Sequence, residues 1–198
     1  VWGHLLGQPL VETPQDFGSR AQEPVHRELL DWMSSWWMDQ GRWSLKELIR
    51  MIVTSKTYQQ SSNHRSHLSQ VDPQNRFFAR QNRFRVEAEV LRDIALQMSG
   101  LLDLRIGGPA VFPPMPEVVI QQSYSRYHHP SQGGDRYRRG LYTFFRRTAP
   151  DPNLMVFDCP DASASQALRG SSNNPLQALA ILNNEVFHEA AQSLAQRL

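Results

Sequence analysis

The segment 83–93 concentrates acidic and basic side chains, which are the residue types in this sequence best suited to chemistry. Closely spaced carboxylates can act as a general acid and a general base, or can bind the hydroxyl groups of a sugar. Arginines beside them can bind an anion or hold the carboxylates in position. The acidic candidates are Glu87, Glu89 and Asp93, and the basic candidates for binding are Arg83, Arg85 and Arg92.

Two hypotheses explain this charged segment. On a helix, Arg85 and Glu89 are four residues apart and Glu89 and Arg92 are three apart, so these side chains share one face, and Glu87 lies on a different side. The first hypothesis is a carboxylate pair for acid–base catalysis or sugar binding. The second, which the sequence favours, is a structural ion-pair network that fixes the loop after Gly107.

A tryptophan-rich segment is a further candidate for binding. Residues 25–40 are predicted to form a helix with an unusually wide apolar face, which is typical of a helix that is buried on two sides or faces a partner. Trp36 and Trp37 are its candidate binding residues. The apolar residues of this helix are Leu29, Leu30, Trp32, Met33, Trp36, Trp37 and Met38.

The sequence predicts no metal site and no cofactor in this chain. His64 and His67 lie in a polar run without a carboxylate at ligand spacing, and the pair His128-His129 lacks a helical i, i+4 partner. The single cysteine, Cys159, excludes both an internal disulfide and haem attachment through Cys-x-x-Cys-His. We therefore predict that Cys159 is a small buried thiol.

Composition excludes several classes of protein. A chain of 198 residues with 40% hydrophobic residues is typical of one globular domain. Residues 1–99 carry 12 basic and 11 acidic side chains, and residues 100–198 carry nine and eight, so neither half offers the basic surface that nucleic acid requires. No apolar run approaches the ~18 residues of a spanning helix, so we predict no membrane span.

The hydrophobic pattern predicts a mainly α-helical domain with little or no sheet. A long irregular insert, about residues 101–173, interrupts the helices, and within it 137–147 is a candidate helix and Val118–Ile120 a candidate short strand. Besides 25–40, the predicted helices are an apolar helix ending at Gly7, 45–58 after the cap Ser44, 72–80, 84–99 closed by Gly100, and a C-terminal region from Asn174-Pro175 divided at Asn183-Asn184.

Two of these predicted helices receive predicted core stripes. In helix 84–99 the stripe is Phe84, Ala88, Leu91, Ala95 and Met98, with Val90 and Ile94 beside it. In the C-terminal region the predicted buried side is Leu176, Leu179, Leu182, Val186, Phe187, Ala190 and Leu194.

The first residues resemble the middle of an apolar helix rather than the start of a protein, because neither an initiator methionine nor a helix cap precedes Trp2. We expect residues 1–198 to be a single domain and a C-terminal fragment of a larger protein. Its missing N-terminal region is then the first expected partner.

Several blocks along the chain, in order, resemble one known family. They are Val1-Trp2 with His4, residues 10–18, residues 26–32, residues 43–62, residues 72–100 with Asn82-Arg83-Phe84-Arg85-Val86-Glu87-Ala88-Glu89, Gly107-Gly108-Pro109, residues 139–148, Phe157-Asp158-Cys159-Pro160 and Asn174-Pro175-Leu176. Together they cover nearly the whole chain.

These blocks resemble the C-terminal domain of the PSD family, planctomycete-type proteins of unknown function that are often associated with cytochrome c-like domains. The resemblance implies an exported bacterial protein, located in the periplasm or at the cell surface, with a haem c domain as partner. It implies no catalytic residue. The chain departs from the family in two places. The family often has alanine where this chain has Cys159, and the stretch 168–173 also differs from the family's usual sequence.

We therefore expect an accessory or interaction domain of an exported bacterial protein linked to cytochrome c-like modules. The alternative is a carbohydrate-active hydrolase or carbohydrate-binding domain that uses Glu87, Glu89 or Asp93.

Overall fold

Helices form nearly all of the regular structure in the computed structural model, which describes residues 1–16, 19, 21–117, 120, 129–147 and 150–198, with Ser69 described by its backbone alone. The α-helices are α1 (Trp2–Leu6), α2 (Arg27–Asp39), α3 (Leu45–Val53), α4 (Lys56–Gln59), α5 (Ser66–Val71), α6 (Ala88–Ser99), α7 (Pro152–Val156), α8 (Pro175–Asn183) and α9 (Glu185–Arg197). Within these ranges the only extended pairings are two isolated bridges, Asp103 with Arg138 and Val111 with Thr143. The predicted fold class is confirmed.

Side-chain caps set several helix ends where the sequence predicted them. The Ser44 hydroxyl accepts a hydrogen bond from the Glu47 amide at 3.3 Å and starts α3. Asn174 and Gln177 form a reciprocal capping box at the start of α8. The predicted division of the C-terminal region is confirmed, because Asn184 ends α8 and caps α9.

Polar side chains also end helices that the sequence predicted to continue. The predicted helix 45–58 is two helices, because the Ser55 hydroxyl accepts from the Tyr58 amide and starts α4. The predicted helix 72–80 is a series of turns, because the Asp72 carboxylate accepts from the amides of Arg76 and Phe77 at 2.8 and 2.9 Å. The polar run 59–70, predicted as a loop, contains most of α5.

In its described residues the predicted insert is largely irregular, and these residues form α7 and two 3-10 helices, Gly133–Tyr137 and Gly140–Tyr142. These short 3-10 turns replace the candidate helix 137–147. The candidate strand Val118–Ile120 lies, in its first two residues, outside the described residues.

Contacts between Cα atoms divide the chain into two compact units, Val1–Phe84 and Arg85–Leu198. The expectation of a single domain from a longer protein stays a prediction. The first unit has an apolar core, against which Trp2, Trp36 and Trp37 pack. Its buried members are Leu6, Met33, Leu48, Ile52 and Phe78.

The second unit combines buried apolar residues with several buried polar side chains. One apolar cluster comprises Ala88, Leu154, Phe157 and Cys159, and Leu96, Val111, Val186 and Ala190 are also buried. Helix α6 packs mainly against α9. At the end of α6, Ser193 donates to the Ser99 carbonyl and Arg197 to the Met98 carbonyl, both at 2.9 Å. These bonds satisfy carbonyls that have no partner within the helix. The buried polar residues of this unit are Arg92, Ser99, Arg138, Asp151 and Gln177.

The predicted core stripes are only partly correct. On α6 the buried residues are Ala88, Arg92, Leu96 and Ser99. Val90, Ile94 and Met98 are exposed instead, because the arginine Arg92 and the small residues face α9 and the insert. On α8, Leu176, Leu179 and Leu182 are exposed, whereas Val186 and Ala190 of α9 are buried as predicted.

Candidate functional site

The three acidic residues singled out by the sequence line one cavity of the second unit, with a volume of about 360 Å³. We call it the acidic cavity. Its volume lies within the roughly 300–1,000 Å³ that is typical of small-molecule sites. Its charged lining residues are Glu87, Glu89, Asp93, Arg139 and Arg169. Its other lining residues are Val90, Gly140, Leu141, Thr143, Phe145 and Leu154.

Two of these carboxylates share one arginine. The Arg169 Nη1 atom lies 2.7 Å from a Glu89 carboxylate oxygen and 3.3 Å from one of Glu87. Glu87 is the N-cap residue of α6 and Glu89 lies in its first turn, where the helix dipole favours negative charge. Arg169 was missed by sequence reasoning, because no local pattern connects residues 80 positions apart.

Asp93 lies one turn further along α6 and is held by the segment 139–140. The Gly140 amide donates to one Asp93 oxygen at 2.6 Å, and the Arg139 Nε atom lies 3.6 Å from the other. A β-carbon at Gly140 would lie 2.9 Å from backbone atoms of Glu89, so only glycine permits this approach. Gly140 therefore positions Asp93 on the cavity wall.

The ion pairs keep Glu89 charged. Burial acts to raise the pKa of Glu89, but the hydrogen bond and charge of Arg169 outweigh it and hold that pKa below its ordinary 4.5. Hydrogen bonding to Glu89 in turn raises the pKa of Arg169. Burial, together with the charge of Glu89, raises the pKa of the Cys159 thiol to about 11. At neutral pH the buried Cys159 is thus a thiol, as predicted, and donates to Glu89 at 3.6 Å.

The basic candidates of segment 83–93 do not pair with these carboxylates. Arg85 lies before α6, because the helix begins at Ala88 after its N-cap residue Glu87. Arg85 and Glu89 therefore do not share the helix face that the sequence predicted. Arg85 instead binds Asp158, the Ser172 carbonyl and Gln177.

The other two basic candidates also bind elsewhere. Arg92 is buried and donates to the Arg136 carbonyl at 2.8 Å, and burial lowers its pKa. In the first unit, Arg83 donates to the Ser62 hydroxyl at 3.4 Å. The predicted network of Arg85, Glu89 and Arg92 was therefore wrong in its pairings.

The loop after Gly107 is held by a different arginine. Arg138 is 3% exposed and donates to the carbonyls of Pro109 and Arg105 at 3.1 and 3.2 Å, and to that of Gly107. Its guanidinium carbon also lies 3.8 Å from the centre of the Tyr142 ring. The loop is thus fixed by Arg138 and backbone carbonyls, and not by the ion-pair network of residues 83–93 that the sequence favoured.

The tryptophan candidates of α2, Trp36 and Trp37, are both packed, whereas two other tryptophans are exposed. Trp36 and Trp37 pack against the core of the first unit, and the Trp37 ring meets that of Trp43 edge-on at 5.1 Å. Trp32 and Trp43 are more than half exposed. The wide apolar face of α2 is therefore used largely for packing.

An apolar face lies exposed on α8. Leu176, Leu179 and Leu182 are 63%, 52% and 73% exposed and follow one another at three-residue spacing. We call these residues the α8 face. Large apolar side chains are normally buried, and a group of exposed ones often marks an interaction site, so exposure of this face is unusual. A second exposed row, Val90, Ile94 and Met98, lies on α6.

The described residues form neither a metal centre nor a membrane-spanning helix. These residues contain no group of three or more His, Cys, Asp or Glu side chains that could hold a metal ion. Among the helices described above, none is long and apolar enough to cross a membrane.

Fold and site together define a helical protein with a small acidic cavity and an exposed leucine face. The chain belongs to the family PSD1, described as a protein of unknown function (DUF1553), whose model matches residues 1–198. No curated protein matches the chain, and no solved structure does.

Proposed function

We propose that this chain is an accessory interaction domain of an exported bacterial protein and that it docks a cytochrome c-like module through the α8 face. The supporting observation is the exposure of Leu176, Leu179 and Leu182 together on one face of α8, whose buried residue is Gln177. Burial of an exposed leucine side chain against a partner contributes roughly 1.5–3 kcal/mol. The proposed location is the periplasm or the cell surface.

In this proposal the haem belongs to the partner. Covalent haem c requires two cysteines and a histidine in one motif, and the chain has only Cys159. The partner that we propose is a haem c domain in the N-terminal region of the same polypeptide. A gene that encodes no Cys-x-x-Cys-His motif upstream of this chain would contradict the proposal.

The test is a titration of the chain with the separately produced haem c domain, followed by calorimetry. Replacing Leu176, Leu179 and Leu182 together by glutamine should weaken binding at least tenfold, because each buried leucine anchor contributes about 1 kcal/mol or more. The control replaces Leu104 and Ile106, which are also exposed, by glutamine and should bind like the wild type. Equal binding by both variants would contradict docking through the α8 face.

A second candidate function is carbohydrate binding in the acidic cavity. Its supporting observation is that Glu87, Glu89 and Asp93 all line this cavity beside apolar side chains. A glycoside hydrolase needs one carboxyl group with a raised pKa as general acid. The pKa of Glu89 is lowered, and Asp93 is bound by Arg139 and the Gly140 amide, so we propose binding rather than hydrolysis.

Carbohydrate binding is tested by nuclear magnetic resonance titration with soluble oligosaccharides of glucose, N-acetylglucosamine and glucosamine. Shifts confined to residues of the acidic cavity would support the candidate. Release of new reducing ends on prolonged incubation would contradict the restriction to binding. Absence of any interaction with all three sugars would remove the candidate altogether.

A further inference from the structure

We propose that the acidic cavity binds an amino sugar with a free amine, and that the ammonium group of this ligand replaces Arg169 between Glu87 and Glu89. This inference rests on the second candidate function, carbohydrate binding, and specifies its substrate class.

The charge of the cavity favours a cation. Its described lining carries three carboxylates and two guanidinium groups, which leaves a surplus of one negative charge. Both arginines already lie beside carboxylates, Arg169 beside Glu87 and Glu89 and Arg139 beside Asp93. An anionic ligand would have to compete with these carboxylates for the guanidinium groups, whereas a cation that takes the place of Arg169 preserves the charge balance of the cavity.

Arg169 occupies the position proposed for the ligand amine. It belongs to the segment 161–173, in which every residue is exposed, and its side chain enters the cavity from that segment. Its Nη1 atom lies within 3.3 Å of both Glu87 and Glu89, so this pair of carboxylates accepts a cationic nitrogen with N–H donors. A protonated primary amine carries the same charge and three N–H donors.

The remaining lining residues fit the body of a sugar. Val90, Leu141 and Phe145 offer apolar surface to the C–H face of a pyranose ring. The Thr143 hydroxyl is buried, and among the described residues it has no hydrogen-bond partner. Since buried polar groups are normally paired, we expect this hydroxyl to rotate toward a sugar hydroxyl when the ligand enters the cavity. A simple inorganic cation would use neither of these features.

The segment 161–173 must yield when the ligand enters. This segment is held by Arg169 and also near its C-terminal end, where the Ser172 amide and hydroxyl donate to Asp158 at 2.7 and 2.8 Å. Displacement of Arg169 leaves this second attachment intact. Binding of the amine therefore exchanges one ion pair for another without loss of the attachment at Ser172.

The experiment titrates the chain with glucosamine trisaccharide and, in parallel, with its fully N-acetylated counterpart at one slightly acidic pH. The wild type should bind the free amine about tenfold more tightly, which corresponds to one additional charge-assisted hydrogen bond. Glu89→Gln should abolish this preference. Arg169→Gln should instead strengthen binding of the free amine several-fold, because it removes the internal competitor.

Two further variants serve as controls for the opposite effects expected of Glu89→Gln and Arg169→Gln on amine binding. Glu87→Gln should also weaken amine binding, and it provides the test if Glu89→Gln does not fold. Arg105→Gln removes an exposed arginine that pairs with Asp103 and Asp135 outside the cavity, and it should bind like the wild type. Circular dichroism melting of each variant checks that the fold is intact.

The outcomes separate this inference from the function on which it rests. Equal binding of the two trisaccharides, or weaker binding by Arg169→Gln, would overturn the amine site while leaving carbohydrate binding in place. Failure of the wild type to bind either trisaccharide would overturn the amine site too, and neutral oligosaccharides then decide whether the cavity binds carbohydrate at all.

Discussion

The two units of this chain are stabilised in different ways. In Val1–Phe84 the buried residues are mainly apolar, and tryptophans pack around them. In Arg85–Leu198 buried polar side chains accompany the buried apolar ones, and the buried arginines Arg92 and Arg138 bind backbone carbonyls. Several large apolar residues of α6 and α8 lie on the surface of this unit. The proposed functions both lie in this second unit.

The largest expected effect tests the apolar core of the first unit. Leu6 is fully buried, so Leu6→Ala should lower the free energy of unfolding by about 3–4 kcal/mol through lost burial and the remaining cavity. Urea denaturation measures this difference. Leu45→Ala, at a half-exposed position, should change stability by less than about 0.5 kcal/mol. Equal effects of the two substitutions would contradict the described core.

The next effect tests the arginine-based interior of the second unit. Arg138→Met keeps an apolar stem but removes the donor to three loop carbonyls. We expect the free energy of unfolding to fall by about 2 kcal/mol and not more, because water can reach the carbonyls of this exposed loop and replace the lost donor. Chemical denaturation and amide hydrogen exchange of residues 103–111 both report the change. If the methionine variant is as stable as the wild type, packing rather than hydrogen bonding holds this loop.

Acid should weaken the second unit. Hydrogen bonds from Arg136 lower the pKa of Glu189 below its ordinary 4.5. A carboxylate with a lowered pKa stabilises the fold above its unfolded pKa, and this contribution is lost as the pH falls through the folded pKa. Stability should therefore fall below about pH 4.5, and this fall should be smaller in Glu189→Gln than in the wild type. An unchanged pH profile in the variant would contradict this role of Glu189.

The smallest effects compare one helix cap in each unit. Asn174→Ala removes the side-chain acceptor of the capping box of α8 and should cost about 1 kcal/mol, whereas Ser44→Ala removes the simple cap of α3 and should cost about 0.5 kcal/mol. Thermal denaturation measures both. Ser34→Ala, in the middle of α2, is the matched control and should be neutral, because alanine favours a helix interior.

Local signals in the sequence predicted much of this fold. Ser44, Asn174, Asn184 and the glycine at position 100 act within a few residues of where they stand, so their roles were readable. Asp72 was misread, because its carboxylate caps a turn as readily as a helix, and only the structure distinguishes the two.

The candidate site was only half predictable. The sequence singled out Glu87, Glu89 and Asp93, since charged residues cluster visibly along the chain. Their partner Arg169 lies far away in an exposed segment without periodicity, so no sequence pattern could assign it. The predicted core stripe of α6 was likewise only partly correct. Hydrophobicity alone does not predict that Arg92 is buried and donates to a carbonyl.

The most direct test of docking through the α8 face is haem quenching of a dye in the full-length protein. Leu179→Cys provides the labelling site, and the buried Cys159, with its pKa raised to about 11, should not react at neutral pH. The account predicts strong quenching at position 179 and much weaker quenching of a dye at Ile106→Cys, which is also exposed. Equal emission from the two positions in the haem-loaded protein would contradict it.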